Sequence, residues 1–128
     1  MRVIYNGELK GIDEVPANSS GWLEGEGIFE TIKSVGNKPF SLSRHIARAQ
    51  NSAVALGITI PNYDQISQGV SDLFAAVPHG LGMLRISFDN QGNWLAVHMP
   101  YAEQEKSCDV RTHPDAVTGD VHKRFPYT

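Results

Sequence analysis

Apolar and polar positions alternate with a period of two at both ends of this chain and with a helical period between them, and each change of period marks an element. Val3 and Tyr5 alternate with polar neighbours up to Asn6-Gly7, a strong signal for a two-residue turn, so residues 2 to 10 are predicted to form a short β-hairpin. Pro16, Asn18, Ser19, Ser20 and Gly21 then make a loop. A strand is expected from Ile28 to Val35, with Phe29, Thr31, Lys33 and Val35 on one face and Ile28, Glu30 and Ile32 on the other. Each face thus carries a charge among apolar or β-branched neighbours. Gly36-Asn37 turns the chain, and Pro39-Phe40-Ser41-Leu42 is expected to return as a second strand ending at a helix cap, Ser41 or Ser43.

The period then lengthens. Ile46, Ala49, Ala53 and Leu56 recur at helical spacing, and Gly57 sits where a helix-ending glycine belongs, so a helix is predicted from about Arg44 to Leu56. Its apolar stripe is narrow and small-sided, which implies close packing. Ile66, Val70, Leu73, Phe74 and Val77 predict a second helix, with Asp64 near its start and Pro78-His79-Gly80 ending it. Leu84, Ile86 and Phe88 alternate with Met83, Arg85 and Ser87. After the turn Asp89-Asn90-Gln91-Gly92, Leu95, Val97, Met99 and Tyr101 alternate with Trp94, Ala96 and His98, which predicts a hairpin. Ala102 to Lys106 reads as a charged loop, Val110 to His113 as a short strand, and Pro114 to Asp120 as a linker. Strands, two helices and strands again predict an α+β domain with an antiparallel sheet and two helices packed on it.

Composition narrows the classes of function. The 128 residues suit one ordinary domain, and 41% hydrophobic with 20% charged residues is the mix of a soluble globular protein. A formal net charge of −3 offers no basic field, which argues against nucleic acid or an anionic membrane as partner. Cys108 is alone, so no disulfide framework or thiolate cluster is expected. No apolar run approaches the length that spans a bilayer, and a cytoplasmic location is expected.

The candidate chemistry is sparse. His45, His79, His98, His113 and His122 show no ligand-like spacing, and no metal site is predicted. Serine-nucleophile and dinucleotide signatures are absent as well. His45 and Arg48, three apart on the first helix, share a face. They read either as a solvated edge or as a site where the planar fork of Arg48 meets a phosphate. Lys123 reads either as a surface lysine or as an amine able to lose its proton and attack a carbonyl. Burial and the adjoining Arg124 would both favour the neutral amine. Tyr127 follows four residues on.

The run from Gly25 to Lys33, the turn Gly36-Asn37-Lys38-Pro39-Phe40, the helix with His45, Arg48, Ser52 and Ala53, and Leu56-Gly57-Ile58 together resemble the N-terminal domain of class IV aminotransferases. These are the fold-type IV pyridoxal phosphate enzymes, which include branched-chain aminotransferases, D-amino-acid aminotransferases and aminodeoxychorismate lyases. Leu84-Arg85-Ile86 resembles the family's strand carrying a substrate-side arginine, and His122-Lys123 with Tyr127 resembles its Schiff-base lysine and downstream tyrosine. The resemblance implies pyridoxal 5'-phosphate as cofactor, with Arg48 on its phosphate, Lys123 as the catalytic residue bonded to it, and Tyr127 near the pyridine ring. It also implies that Phe29, Thr31 and Lys33 line the substrate side, that Arg85 meets a substrate carboxylate, and that the complete protein is a homodimer.

Glu26 stands where the family commonly has aspartate, and Met83 where branched-chain enzymes tend to have tyrosine. Both departures tell against a branched-chain enzyme; the Phe29-Glu30-Thr31 wording is shared by the lyases and the D-amino-acid enzymes, and an aminodeoxychorismate-lyase-like member acting on an amino acid or amino-chorismate is favoured. Residues 1–114 are then expected to form the N-terminal domain, and 115–128 a linker and the start of a cofactor-binding domain. Such a chain would continue past Thr128, and at this length alone it would catalyse little. The rival expectations are a non-catalytic α+β binding or dimerisation module and, more remotely, a histidine-dependent hydrolase.

Overall fold

The computed structural model describes residues 1–16 and 27–102. Six strands form one antiparallel sheet in the order β2-β1-β6-β5-β3-β4. Asn6 and Gly7 both adopt positive φ, 51° and 86°, and close β1 (Arg2–Tyr5) onto β2 (Glu8–Gly11), as the dipeptide predicts. β3 (Gly27–Val35) runs the full length of β5 (Leu81–Asp89), and β5 pairs in turn with β6 (Trp94–Pro100). The short edge strand β4 (Lys38–Pro39) touches β3 only at Ser34 and Val35. Helix α1 (Leu42–Leu56) packs on β3, and α2 (Tyr63–Ala76) crosses β1, β2 and β6. This is the α+β arrangement read from the sequence.

Two boundaries differ from expectation. The strand predicted to reach Leu42 stops at Pro39, because Ser41 takes a left-handed conformation (φ 56°, ψ 43°) that reverses the chain and starts the helix at Leu42. Leu42 thereby enters the core, and Ser41 caps nothing with its side chain. α2 is capped reciprocally: the Asn62 side chain accepts from the Gln65 amide at 2.9 Å, and the Gln65 side chain accepts from the Asn62 amide at 3.2 Å. At the end of α1, Gly57 is left-handed (φ 69°), as predicted.

The core lies between the helices and one face of the sheet. Leu42, Ile46, Ala49 and Ala53 of α1 and Ile66, Val70, Leu73 and Phe74 of α2 meet Ile4, Ile28, Ile32, Leu84, Ile86, Phe88, Trp94 and Ala96. Register sorts the central strands into rows: Ile28, Phe88 and Trp94 in one, Ile32, Leu84 and His98 in another. The buried side of the β5–β6 hairpin thus carries Trp94, Ala96 and His98, while Leu95, Val97 and Met99 lie on the opposite, partly covered face.

One polar contact crosses this core. Ser34 on β3 and His98 on β6 flank β5, and their side chains meet at 2.7 Å directly over Gly82. A Cβ on Gly82 would lie 2.3 Å from His98 Nε2 and 2.5 Å from Ser34 Oγ, so the contact exists because that position has no side chain. His98 Nδ1 sits 2.7 Å from the Val77 carbonyl, which can only accept. Nδ1 therefore carries the hydrogen, and in the neutral ring Nε2 accepts from the Ser34 hydroxyl. Phe74 stacks on the imidazole at 4.1 Å, and His79 approaches edge-on at 4.7 Å. Burial pushes the His98 pKa below its ordinary 6.5; His79 pushes the same way, and the Val77 hydrogen bond opposes them.

Two outcomes follow. Gly82→Ala should destabilise the fold by about 2 kcal/mol in urea denaturation through overpacking. Gly80→Ala, whose Cβ would meet nothing within 4 Å, should be neutral or slightly stabilising. Because the folded state keeps His98 neutral, the unfolded chain takes up its proton first on acidification. The His98 contribution to stability is thus complete above pH 6.5 and declines as pH falls from 6.5 towards the lower folded value. His98→Gln should remove that part of the pH dependence in denaturation curves measured between pH 5 and 8.

Candidate active site

Glu30 faces the core from β3. It occupies the same face as Ile28 and Ile32, opposite Ile86, and is 1% exposed. A carboxylate in that place needs donors, because an unpaired buried charge costs several kcal/mol. Two residues of α1 supply them. Helical geometry puts His45 and Arg48 on the face turned towards β3, where Arg48 Nε reaches Glu30 Oε1 at 2.7 Å and Arg48 Nη2 reaches Oε2. His45 Nδ1 lies 3.0 Å from the same Oε2. The carboxylate can only accept there, so His45 carries its hydrogen on Nδ1 and turns Nε2 away from Glu30.

These contacts replace the solvated-edge alternative for His45 and Arg48: both are tied to the sheet. They also qualify the phosphate alternative. The side-on edge of the guanidinium, Nε with Nη2, is engaged by Glu30, which leaves the end-on edge, Nη1 with the second hydrogen of Nη2, for another acceptor. The Arg48 side chain is 54% exposed, against 1% for Glu30, so the pair is an anchored anion presenting a cation outward. Burial raises the pKa of Glu30, but the hydrogen bonds and charges of Arg48 and His45 outweigh it and hold the carboxyl below its usual 4.5. Arg48, bonded to that carboxylate, is pushed still further into its cationic form.

Outward of this pair lies an open hollow of about 460 Å³ lined by Phe40, Ser41, Arg44, His45 and Arg48. Phe40 is 71% exposed beside these basic side chains. The larger hollow, about 780 Å³, lies at the other end of the sheet among Asn6, Gln68, Gly69 and Trp94 and holds none of the candidate residues. The basic hollow is the one with anion-binding chemistry, and Arg44 belongs to it although sequence spacing did not single it out.

The remaining candidates divide. Phe29, Thr31, Lys33 and Arg85 share the sheet face opposite the helices: Thr31 pairs directly with Arg85, and Lys33 with Met83. The Arg85 guanidinium lies over the Phe29 ring at 4.6 Å, and the Lys33 ammonium lies 5.9 Å from the Tyr101 ring. These four residues are therefore brought together, on the far side of β3 from Glu30 and Arg48. Lys123 and Tyr127 lie outside the described residues, as do Glu26, the expected strand from Val110 and the boundary expected near residue 115. Among the described residues no group of three or more His, Cys, Asp or Glu could hold a metal ion, and no helix is long and apolar enough to cross a membrane. Ser34 and His98 have the spacing of a nucleophile and its base, but both are buried and no substrate can reach them.

Glu30 gives the site a pH signature. Its depressed folded pKa means that its contribution to stability is complete above pH 4.5 and is lost as pH falls below 4.5 through the folded value. Denaturation midpoints measured from pH 6 down to pH 3 should fall steeply in that range for the wild-type protein. For Glu30→Gln they should start lower and fall less.

Comparison with known proteins places the fold in a family. Residues 27–117 match the family described as amino-transferase class IV. A D-alanine aminotransferase from Bacillus licheniformis is 36% identical over 62 residues, which cover 47% of this chain and 22% of that protein. The branched-chain aminotransferase of the thermophilic archaeon Thermoproteus uzoniensis, solved with norvaline, has the same fold. Its TM-score is 0.70 at 20% identity, covering 80% of this chain and 41% of that one. A structure provisionally assigned as a 4-amino-4-deoxychorismate lyase gives a TM-score of 0.63 at 25% identity, covering 83% of this chain and 49% of that one. The chain spans less than half the length of each of these relatives. With the match extending over more than half of its residues, the chain belongs to the class IV aminotransferase family.

Proposed function

We propose that this chain carries the phosphate-holding and substrate-facing side of a pyridoxal-phosphate-dependent enzyme that acts on the amino group of a small amino acid or amino-chorismate. The family uses that cofactor. The observation that carries the reading is the outward-facing guanidinium of Arg48, oriented by a buried carboxylate at the rim of a hollow that also holds Arg44 and His45. This donor set fits the phosphate end: the hollow is cationic, and the acid behind it, Glu30, is buried and already bonded by both Arg48 and His45.

In this reading Arg48 binds the phosphate by its end-on edge, with Arg44 adding positive charge. When bound, the cofactor would supply an electron sink for chemistry at the substrate Cα. Lys123 holds the cofactor covalently and moves the proton at Cα, which requires its amine in the neutral form. Tyr127 flanks the ring. Phe29, Thr31 and Lys33 orient the substrate, and Arg85, steadied against the Phe29 ring, receives its carboxylate. Phe29-Glu30-Thr31 on β3 and Met83 on β5 support the lyase-like variant over a branched-chain one. The partners implied are a small-molecule substrate and, in the assembled protein, a second copy of the chain.

Borohydride reduction of the full-length protein with pyridoxal phosphate, followed by peptide mass mapping, should place the label on Lys123. Labelling elsewhere, or unchanged activity and binding in Lys123→Ala, would favour a non-catalytic module instead. Product formation without any 2-oxo acid acceptor would identify elimination; dependence on such an acceptor would identify transamination.

A further inference from the structure

We infer that Glu30 is a positioning residue for the phosphate end of the site: it fixes which edge of Arg48 faces the ligand. This rests on the phosphate role proposed for Arg48. The argument begins with a conflict of sign. A carboxylate beneath a phosphate-binding arginine repels the phosphate and cancels one positive charge of the hollow, so charge alone would favour its absence. Its geometry supplies what charge does not. A half-exposed arginine on a helix surface has several rotamers to lose when it binds, a cost of about 2 kcal/mol for a long side chain. Here that freedom is already removed: Nε is held at 2.7 Å from Oε1, and Nη2 is held by Oε2.

The anchor itself does not move. Glu30 lies between the fully buried Ile28 and Ile32 on a strand paired along its whole length with β5, and His45 Nδ1 holds the same Oε2 at 3.0 Å. In an ion pair with both partners buried, the cost of desolvating two charges can cancel their attraction. This one buries the anion and leaves the cation's side chain 54% exposed. The result is a pre-ordered donor edge, whose value appears only when an acceptor arrives.

The conflict of sign makes the test decisive. The full-length protein is titrated with pyridoxal 5'-phosphate and, separately, with pyridoxal, which lacks the phosphate. Glu30→Gln adds one net positive charge to the site, so a purely electrostatic role predicts tighter binding of the phosphorylated probe. Positioning predicts the opposite: affinity for pyridoxal 5'-phosphate falls on the order of tenfold, while affinity for pyridoxal is unchanged. Equal or tighter binding of the phosphorylated probe by folded Glu30→Gln overturns the inference. If that variant does not fold, Glu30→Asp keeps the charge but is one methylene too short to hold both nitrogens. It should show the same selective loss, and wild-type affinity there would overturn the inference equally.

A double-variant cycle adds a second readout. Once Arg48→Lys has removed the fork, Glu30→Gln should cost nothing further; additive losses would mean that Glu30 acts without Arg48 and would sink the assignment. A wild-type protein that binds the two probes equally would refute the phosphate role of Arg48 itself, and this inference with it. Loss confined to the Glu30 variants, against a phosphate-selective wild type, separates the two failures.

Discussion

A carboxylate on the core face of a β-strand is the constraint around which the site is arranged. Glu30 takes a place that Ile28 and Ile32 define as apolar, and a bare charge there would cost more than the small excess that keeps a domain folded. The chain answers it with two donors one helical turn apart on α1, which fixes the helix in rotation as well as in position. Several local features serve that placement. The left-handed Ser41 brings Leu42 under the helix start, and the small residues Ala49, Ser52 and Ala53 let the helix approach closely. A leucine in place of Ala49 would hold α1 away from β3 and stretch the contacts on which Glu30 depends.

The same strand separates two kinds of chemistry. Even-numbered positions of β3 turn towards α1 and lead to Arg48; Phe29, Thr31 and Lys33 turn the other way and join Arg85. A ligand that meets both sets cannot pass through the sheet, so it has to pass along an edge. Among the described residues, β4 pairs with β3 at Ser34 and Val35, and the Phe40 N–H donates to the Lys33 carbonyl at 2.8 Å.

Much of the fold was legible because each signal had a local cause. Asn6-Gly7 closed its hairpin, Gly57 ended α1 in the left-handed region, and the spacing of Ile66, Val70, Leu73 and Phe74 located α2. The edge strand is shorter than the pattern predicts because Ser41 is left-handed, a conformation that serine shows by no sequence mark. Asn62 and Gln65, three apart just before the periodic run, have the spacing of the reciprocal cap that they form. Glu30 was visible as a charge between two isoleucines, but its partners are 15 and 18 residues away. Periodicity can show that two residues share a helical face; it cannot say which strand that face will meet. The Ser34 and His98 contact over Gly82 was illegible for the same reason, since it joins residues 64 apart.

These two long-range contacts act on one strand from opposite ends. Glu30 ties the first half of β3 to α1, and Ser34 ties the last turn of the strand across β5 to β6 and, through His98, to the Val77 carbonyl just past α2. Between them β3 is in antiparallel register with β5 from Gly27 to Val35. A strand held in this way cannot slip by one residue without exposing Ile28 and Ile32 and burying Lys33. Its outward side chains are therefore held in register with Arg85 on the neighbouring strand. Reactive geometry tolerates little displacement, and side chains on a pinned strand meet that demand better than side chains on a loop. The polar groups in this core thus do something that isoleucines in their places could not: they fix one register, and with it the spacing of the residues offered to a ligand on either side of the sheet.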